Sequence, residues 1–78
     1  MRVEIISPEK RLYCGDAESV TLPGVDGLFS ILDNHAPLIS ILKKGKISYK
    51  APNHDAAVLD IEGGFVEVNN NRVIICVE

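Results

Sequence analysis

The chain has no tryptophan, and aromatic residues make up only 5% of it: two phenylalanines and two tyrosines. That scarcity weighs against binding of single-stranded nucleic acid, which uses aromatic platforms inside a basic groove. Positive charge is not in excess either. Eight Lys and Arg stand against eleven Asp and Glu, a formal net charge of −3, which does not suit neutralising nucleic-acid phosphates. The only cysteines, Cys14 and Cys76, are too few for a disulfide framework and lack metal-site spacing. Two small buried or half-buried thiols are expected. No run approaches the ~20 consecutive apolar residues that span a bilayer. Met1-Arg2-Val3-Glu4 carries an acid where a signal peptide would have its apolar core. These absences lead to the expectation of a soluble, intracellular chain.

What is present belongs to a folded protein. Of 78 residues, 46% are apolar and 24% charged, and the mean hydropathy is +0.14, which excludes intrinsic disorder. The length suits one domain over residues 1–78 with a single small core. Val and Ile number 17 against 13 for Leu, Ala and Met together, and branching at Cβ suits a pleated surface. Breakers recur at Pro8, Gly15, Pro23-Gly24, Gly27, Pro37, Gly45, Pro52 and Gly63-Gly64, leaving few gaps long enough for a helix.

Alternation with period 2 supports strands. Val3 and Ile5 oppose Arg2 and Glu4; Val20 and Leu22 oppose Ser19 and Thr21; Val66 and Val68 oppose Glu67. Ile47 and Tyr49 oppose Lys46, Ser48 and Lys50, while Ala57, Leu59 and Ile61 oppose Asp60 and Glu62. Lys43-Lys44-Gly45 suits a hairpin with glycine at positive φ, Pro52-Asn53-His54-Asp55 a longer loop, and Asn69-Asn70-Asn71 a tip. The pattern is all-β: short strands with frequent turns, a sandwich or barrel.

Three runs are apolar on both faces: 28–32, 38–42 and 73–77. The run 38–42 also fits a helical turn, and a strand is preferred because it is short and ends at Lys43-Lys44-Gly45. A small sandwich has one interior, so such strands show their outer face to covering loops or to a partner protein.

Chemistry is sparse. Asp33-Asn34-His35 invites an acid–base reading, but no activated nucleophile or oxyanion site accompanies it. His54-Asp55 reads as a turn, and two histidines with two scattered cysteines do not make a zinc set. Glu62-Gly63-Gly64 lacks the Lys-Ser/Thr of a phosphate loop and reads as a turn needing positive φ. No catalysis and no cofactor are expected.

Four segments in order then carry a resemblance: Val3-Glu4-Ile5-Ile6-Ser7-Pro8-Glu9-Lys10; Glu18-Ser19-Val20-Thr21-Leu22-Pro23-Gly24 with Asp26-Gly27; Asn34-His35-Ala36-Pro37-Leu38; and Gly63-Gly64-Phe65-Val66-Glu67-Val68 with Asn71 and Val73. Together they closely resemble the N-terminal domain of the epsilon subunit of F-type ATP synthase, over nearly the whole chain. The resemblance implies a flattened β-sandwich of about ten short, mostly antiparallel strands. It further implies a non-catalytic rotor subunit in the central stalk. Its implied partners are the gamma subunit and the c-subunit ring, and it couples ion translocation to ATP synthesis or hydrolysis. The implied location is peripheral, on the cytoplasmic face of the bacterial plasma membrane, with no bilayer insertion and no nucleic acid.

By the same resemblance, the loop around Gly24–Gly27 and the segment Asn34–Leu38 lie together at the end facing the c ring. Asp26, Leu28 and His35 are then candidate contacts. Many relatives have an acid where Leu28 stands, so an apolar contact is expected there. The plainer alternative makes Asp26 a turn former and His35 a local hydrogen-bonding residue. The gamma side includes Ser7, Ile39, Ser40 and Ile41; either Ile39 and Ile41 or Leu38 and Leu42 cover the partner, or all five residues of 38–42 are core. The chain stops at Glu78, where many members continue into a helical hairpin, so a naturally short form without hairpin-mediated inhibition or ATP binding is expected. Two other classes fit the composition: a lipoyl- or biotinyl-type carrier domain, for which the setting around Lys43-Lys44 is wrong, and a small oligonucleotide-binding barrel.

Overall fold

Alternation is what builds this molecule: residues that alternate apolar and polar can only satisfy both solvent and core as strands. The computed structural model describes residues Met1–Glu78 and contains nine strands and no helix. They are β1 (Arg2–Ile6), β2 (Arg11–Asp16), β3 (Ser19–Gly24), β4 (Gly27–Leu32), β5 (Leu38–Leu42), β6 (Gly45–Lys50), β7 (Ala57–Ile61), β8 (Gly64–Asn69) and β9 (Arg72–Val77). That is one fewer than the resemblance implied. The stretches 33–37 and 51–56 join no ladder, and each holds an asparagine at positive φ, Asn34 at 63° and Asn53 at 61°.

The strands run in the order β2-β1-β9-β8-β5-β3-β6-β7, with β4 on β3. All pairs are antiparallel except β1 with β9, which is parallel. One residue pair, Gly24 with Leu42, joins β3 to β5. The sheet folds over at this seam into two layers, β2-β1-β9-β8-β5 and β4-β3-β6-β7. Between them lies one apolar cluster of 14 buried residues drawn from both layers, including Val3, Ile5, Val66 and Ile75 from one and Val20, Leu22, Ile31 and Ile47 from the other. The buried set contains no polar or charged side chain. The fold is all-β, as the alternation requires.

The turns differ in their fidelity to expectation. Asn70 and Asn71 close the β8–β9 hairpin with φ of 51° and 61°, the two positive values of a type I′ turn. The expected hairpin at Lys43-Lys44-Gly45 does not form. Strands β5 and β6 do not pair with each other, and Gly45 is absent from the positive-φ residues. Its glycine answers a steric need, since a Cβ at Gly45 would stand 2.9 Å from Pro23 Cβ. The connection is held down by Lys43 N–H, which donates to the Pro23 carbonyl at 2.9 Å.

The register assigns each loop to one of two ends. At the first end lie the β1–β2 turn (residues 7–10), the Val25-Asp26 turn, Lys43-Lys44 and Glu62-Gly63. At the second lie Met1, residues 33–37, the 51–56 loop and Asn70-Asn71.

Candidate functional site

Strand β5 decides which face is left uncovered. Leu42 is buried and pairs with Gly24, while Leu38 packs against the core opposite Val68. Their neighbours therefore point outward: Ile39 is 72% exposed and Ile41 58%. The register carries this face across three more strands. Ile41 lies beside Phe65, Phe65 beside Cys76, and Cys76 beside Ile6. One rung away, Ile39 lies beside Glu67, Glu67 beside Ile74, and Ile74 beside Glu4. Phe65 is itself 43% exposed. Residues facing the same way across a sheet touch their cross-strand neighbours, so the apolar members form one continuous outward surface. Ser40 alternates to the other side, half-buried opposite Val66, and so does not share a face with Ile39 and Ile41.

Ser7 caps the end of β1. Its hydroxyl donates to the Lys10 carbonyl at 3.2 Å and accepts from the Lys10 N–H at 3.2 Å. It thereby closes the Pro8-Glu9 turn, beside a shallow hollow of about 240 Å³ lined by Ile6, Pro8, Cys76 and Val77.

Asp26 sits in the two-residue turn between β3 and β4, exposed beside Val25 at 53% and followed two residues on by Leu28 at 75%. Val25 N–H donates to the Ile41 carbonyl at 3.1 Å, so this apolar tip adjoins the outward face of β5. His35 lies elsewhere. It follows the far end of β4, and six strand residues at roughly 3.3 Å each put it about 20 Å from Asp26. The expected grouping of Asp26 with His35 at one end is thus corrected: β4 holds them apart. His35 is fixed locally, its N–H donating to the Leu32 carbonyl at 3.2 Å and its Nδ1 lying 2.7 Å from the Ala36 carbonyl. Around it, Asn34 N–H donates to Asn71 Oδ1 at 2.8 Å, and the Met1 ammonium pairs with Asp33.

The cysteines are both free; Cys76 is half-buried and Cys14 exposed. Cys14 departs from the expected burial because β2 is an edge strand whose outer face nothing covers. A carrier-domain reading fails on geometry, since Lys43 and Lys44 occupy a connector between unpaired strands and no hairpin tip.

The family model described as ATP synthase, Delta/Epsilon chain, beta-sandwich domain matches residues 1–78. The chain is 40% identical over 77 residues to an ATP synthase epsilon chain of Chlorobium limicola, spanning 88% of that relative. It is 44% identical over 75 residues to an ATP synthase epsilon chain of Leptospira interrogans, but spans only 58% of it. In fold, it superposes with a TM-score of 0.90 at 18% identity on a chain of the Euglena gracilis mitochondrial ATP synthase, covering 96% of this chain and 48% of that one. A chain of the Tetrahymena thermophila ATP synthase central stalk and c ring gives a TM-score of 0.83 at 19% identity, with 97% and 61% covered. With two curled layers around one apolar core, and relatives in sequence over its whole length, the chain belongs to the delta/epsilon chain family of ATP synthase, as its β-sandwich domain.

Proposed function

We propose that this chain is a non-catalytic rotor element of an F-type ATP synthase. It binds the gamma subunit through the outward face of β5, β8, β9 and β1, and rests on the c ring through the Val25–Leu28 tip. It thereby couples ion translocation to ATP synthesis or hydrolysis from a peripheral position on the cytoplasmic side of the bacterial plasma membrane. The observation that carries the reading is the continuous apolar surface of Ile39, Ile41, Phe65, Cys76 and Ile6. A contiguous apolar patch on so small a chain marks an interaction surface. Ser7, beside this surface, belongs to its rim. The tip is favoured over the His35 end for the c ring because Val25 and Leu28 present apolar groups to solvent. The loop around His35, by contrast, has its polar groups tied to Leu32, Ala36 and Asn71.

Co-expression with the gamma subunit of the same synthase tests the reading. The two are expected to co-purify, and Ile41→Asp is expected to abolish the association while leaving the chain folded. Absence of association between two folded wild-type proteins would overturn it.

A further inference from the structure

The chain has three arginines, Arg2, Arg11 and Arg72, and all three line one surface hollow of about 270 Å³ with Glu4, Cys14 and Ile74. None of the five lysines does. Two separate features bring them there. The parallel register of β1 and β9 sets Arg2 beside Arg72. In β2 the register jumps from Tyr13 opposite Ile5 to Arg11 opposite Ile6. The extra residue, Leu12, turns Arg11 to the outward side, and bulges commonly re-aim side chains in this way.

The charges in this hollow do not cancel. Glu4 is engaged by Arg11, whose Nε lies 3.1 Å from its Oε2. The chain's remaining ion pairs are Met1–Asp33, Lys44–Glu62 and Lys46–Asp60, so Arg2 and Arg72 hold no carboxylate. Arg2 instead donates to Cys14 Sγ at 3.3 Å. Like charges directly opposite one another on a sheet destabilise it, and here the pair persists in a chain of net charge −3. A guanidinium presents a planar fork of donors that matches a carboxylate or phosphate in bidentate fashion.

We infer that the Arg2–Arg72 pair is a carboxylate-binding site for an acidic side chain of the gamma subunit. The inference rests on the gamma-binding reading above. The argument for this occupant is continuity: Ile74 lines the hollow and also belongs to the outward face that gamma covers, next to Ile39 across Glu67. An acidic side chain on a partner lying across Ile39 and Ile74 reaches the two guanidinium groups, which fix the register of the docked face. Charge pairs of this kind set orientation and on-rate as well as affinity.

The test measures binding of the purified chain to its gamma subunit at low and high salt. It compares wild type, Arg2→Gln/Arg72→Gln, and Lys46→Gln/Lys50→Gln as a charge-matched control on β6, in the opposite layer. The arginine variant is expected to bind about ten- to a hundredfold more weakly at low salt and to lose most of its salt dependence. The lysine control is expected to match wild type. Both arginines are exposed, so the double variant is expected to keep the wild-type circular dichroism and melting temperature. Equal affinities for arginine variant and wild type would overturn the inference and leave the gamma reading standing. Failure of wild type to bind would overturn the gamma reading itself. A parallel titration with inorganic phosphate separates the remaining source: phosphate is expected to compete with gamma only weakly. Tight saturable phosphate binding that leaves gamma binding unchanged would show a free-anion site and overturn the proposal.

Discussion

Gly24 pairs with Leu42, and through that one pair the two layers of the sandwich share a backbone ladder. Gly24 tolerates no side chain there: a Cβ would lie 2.9 Å from the Gly27 carbonyl oxygen and 2.9 Å from Phe29 Cε1. Gly24→Ala is expected to lower stability by about 1–3 kcal/mol, the range for overpacking a well-filled site, because one of the two obstacles is backbone. Urea unfolding followed by circular dichroism measures it, and a midpoint equal to wild type would refute the steric argument.

Two other glycines separate conformational strain from collision. Gly27 has φ of 127° and open space around its missing Cβ, whereas Gly64, at 151°, would drive a Cβ into the Cys76 carbonyl oxygen. Gly27→Ala is expected to cost about 1–3 kcal/mol, the strain of a region kept almost wholly for glycine. Gly64→Ala adds displacement of β9 and is expected to exceed that loss, with little folded protein recovered. Comparing the two melting temperatures checks the order.

Asn71 has two duties with opposite demands. Its backbone, at φ of 61°, would suit glycine in a type I′ turn, while its Oδ1 accepts the Asn34 N–H at 2.8 Å. Asn71→Gly relieves the first and removes the second, a hydrogen bond of about 0.5–1.5 kcal/mol. Global stability is expected to stay within about 0.5 kcal/mol of wild type, since gain and loss are of similar size. Hydrogen exchange at the Asn34 amide is expected to quicken at least tenfold; unchanged exchange would show that the contact does not hold the loop.

Because β4 separates Leu28 from His35, substitutions at the two ends are expected to act differently on the assembled synthase. Leu28→Glu places a charge on the exposed tip and is expected to lower hydrolysis-driven ion pumping relative to ATP turnover in membrane vesicles. His35→Ala removes a locally bonded, exposed ring and is expected to leave that ratio as in wild type. The reverse pattern would move the c-ring contact to the other end of the molecule.

How much of this was legible in the residues depended on whether a strand has one buried face. Val3 and Ile5, or Val66 and Val68, alternate with polar neighbours, and the structure buries the expected members. In β5 both faces are apolar, so pattern was silent; the pairing of Leu42 with Gly24 and of Leu38 with Val68 decides it. β2 carried no alternation to find, since it is an edge strand interrupted by the extra Leu12. Gly45 looks like a turn residue in sequence but serves clearance, and sequence cannot distinguish a glycine needed for φ from one needed for clearance. Alternation alone allows a sandwich or a barrel, and the family resemblance of the four segments is what implies the sandwich. The arginine hollow was invisible beforehand, because Arg2 and Arg72 meet only when the first and last strands pair.

That last pairing sets a timetable for biogenesis. Arg2 to Ile6 must wait for Arg72 to Cys76 before β1 has its second neighbour, so β9 has to leave the ribosome before the sandwich can shut. Until then Val3 and Ile5 stay unprotected in the nascent chain, and non-local closure of this kind is slow, on the order of milliseconds to seconds for all-β domains. Nascent-chain arrest short of Arg72 is therefore expected to yield a protease-sensitive species.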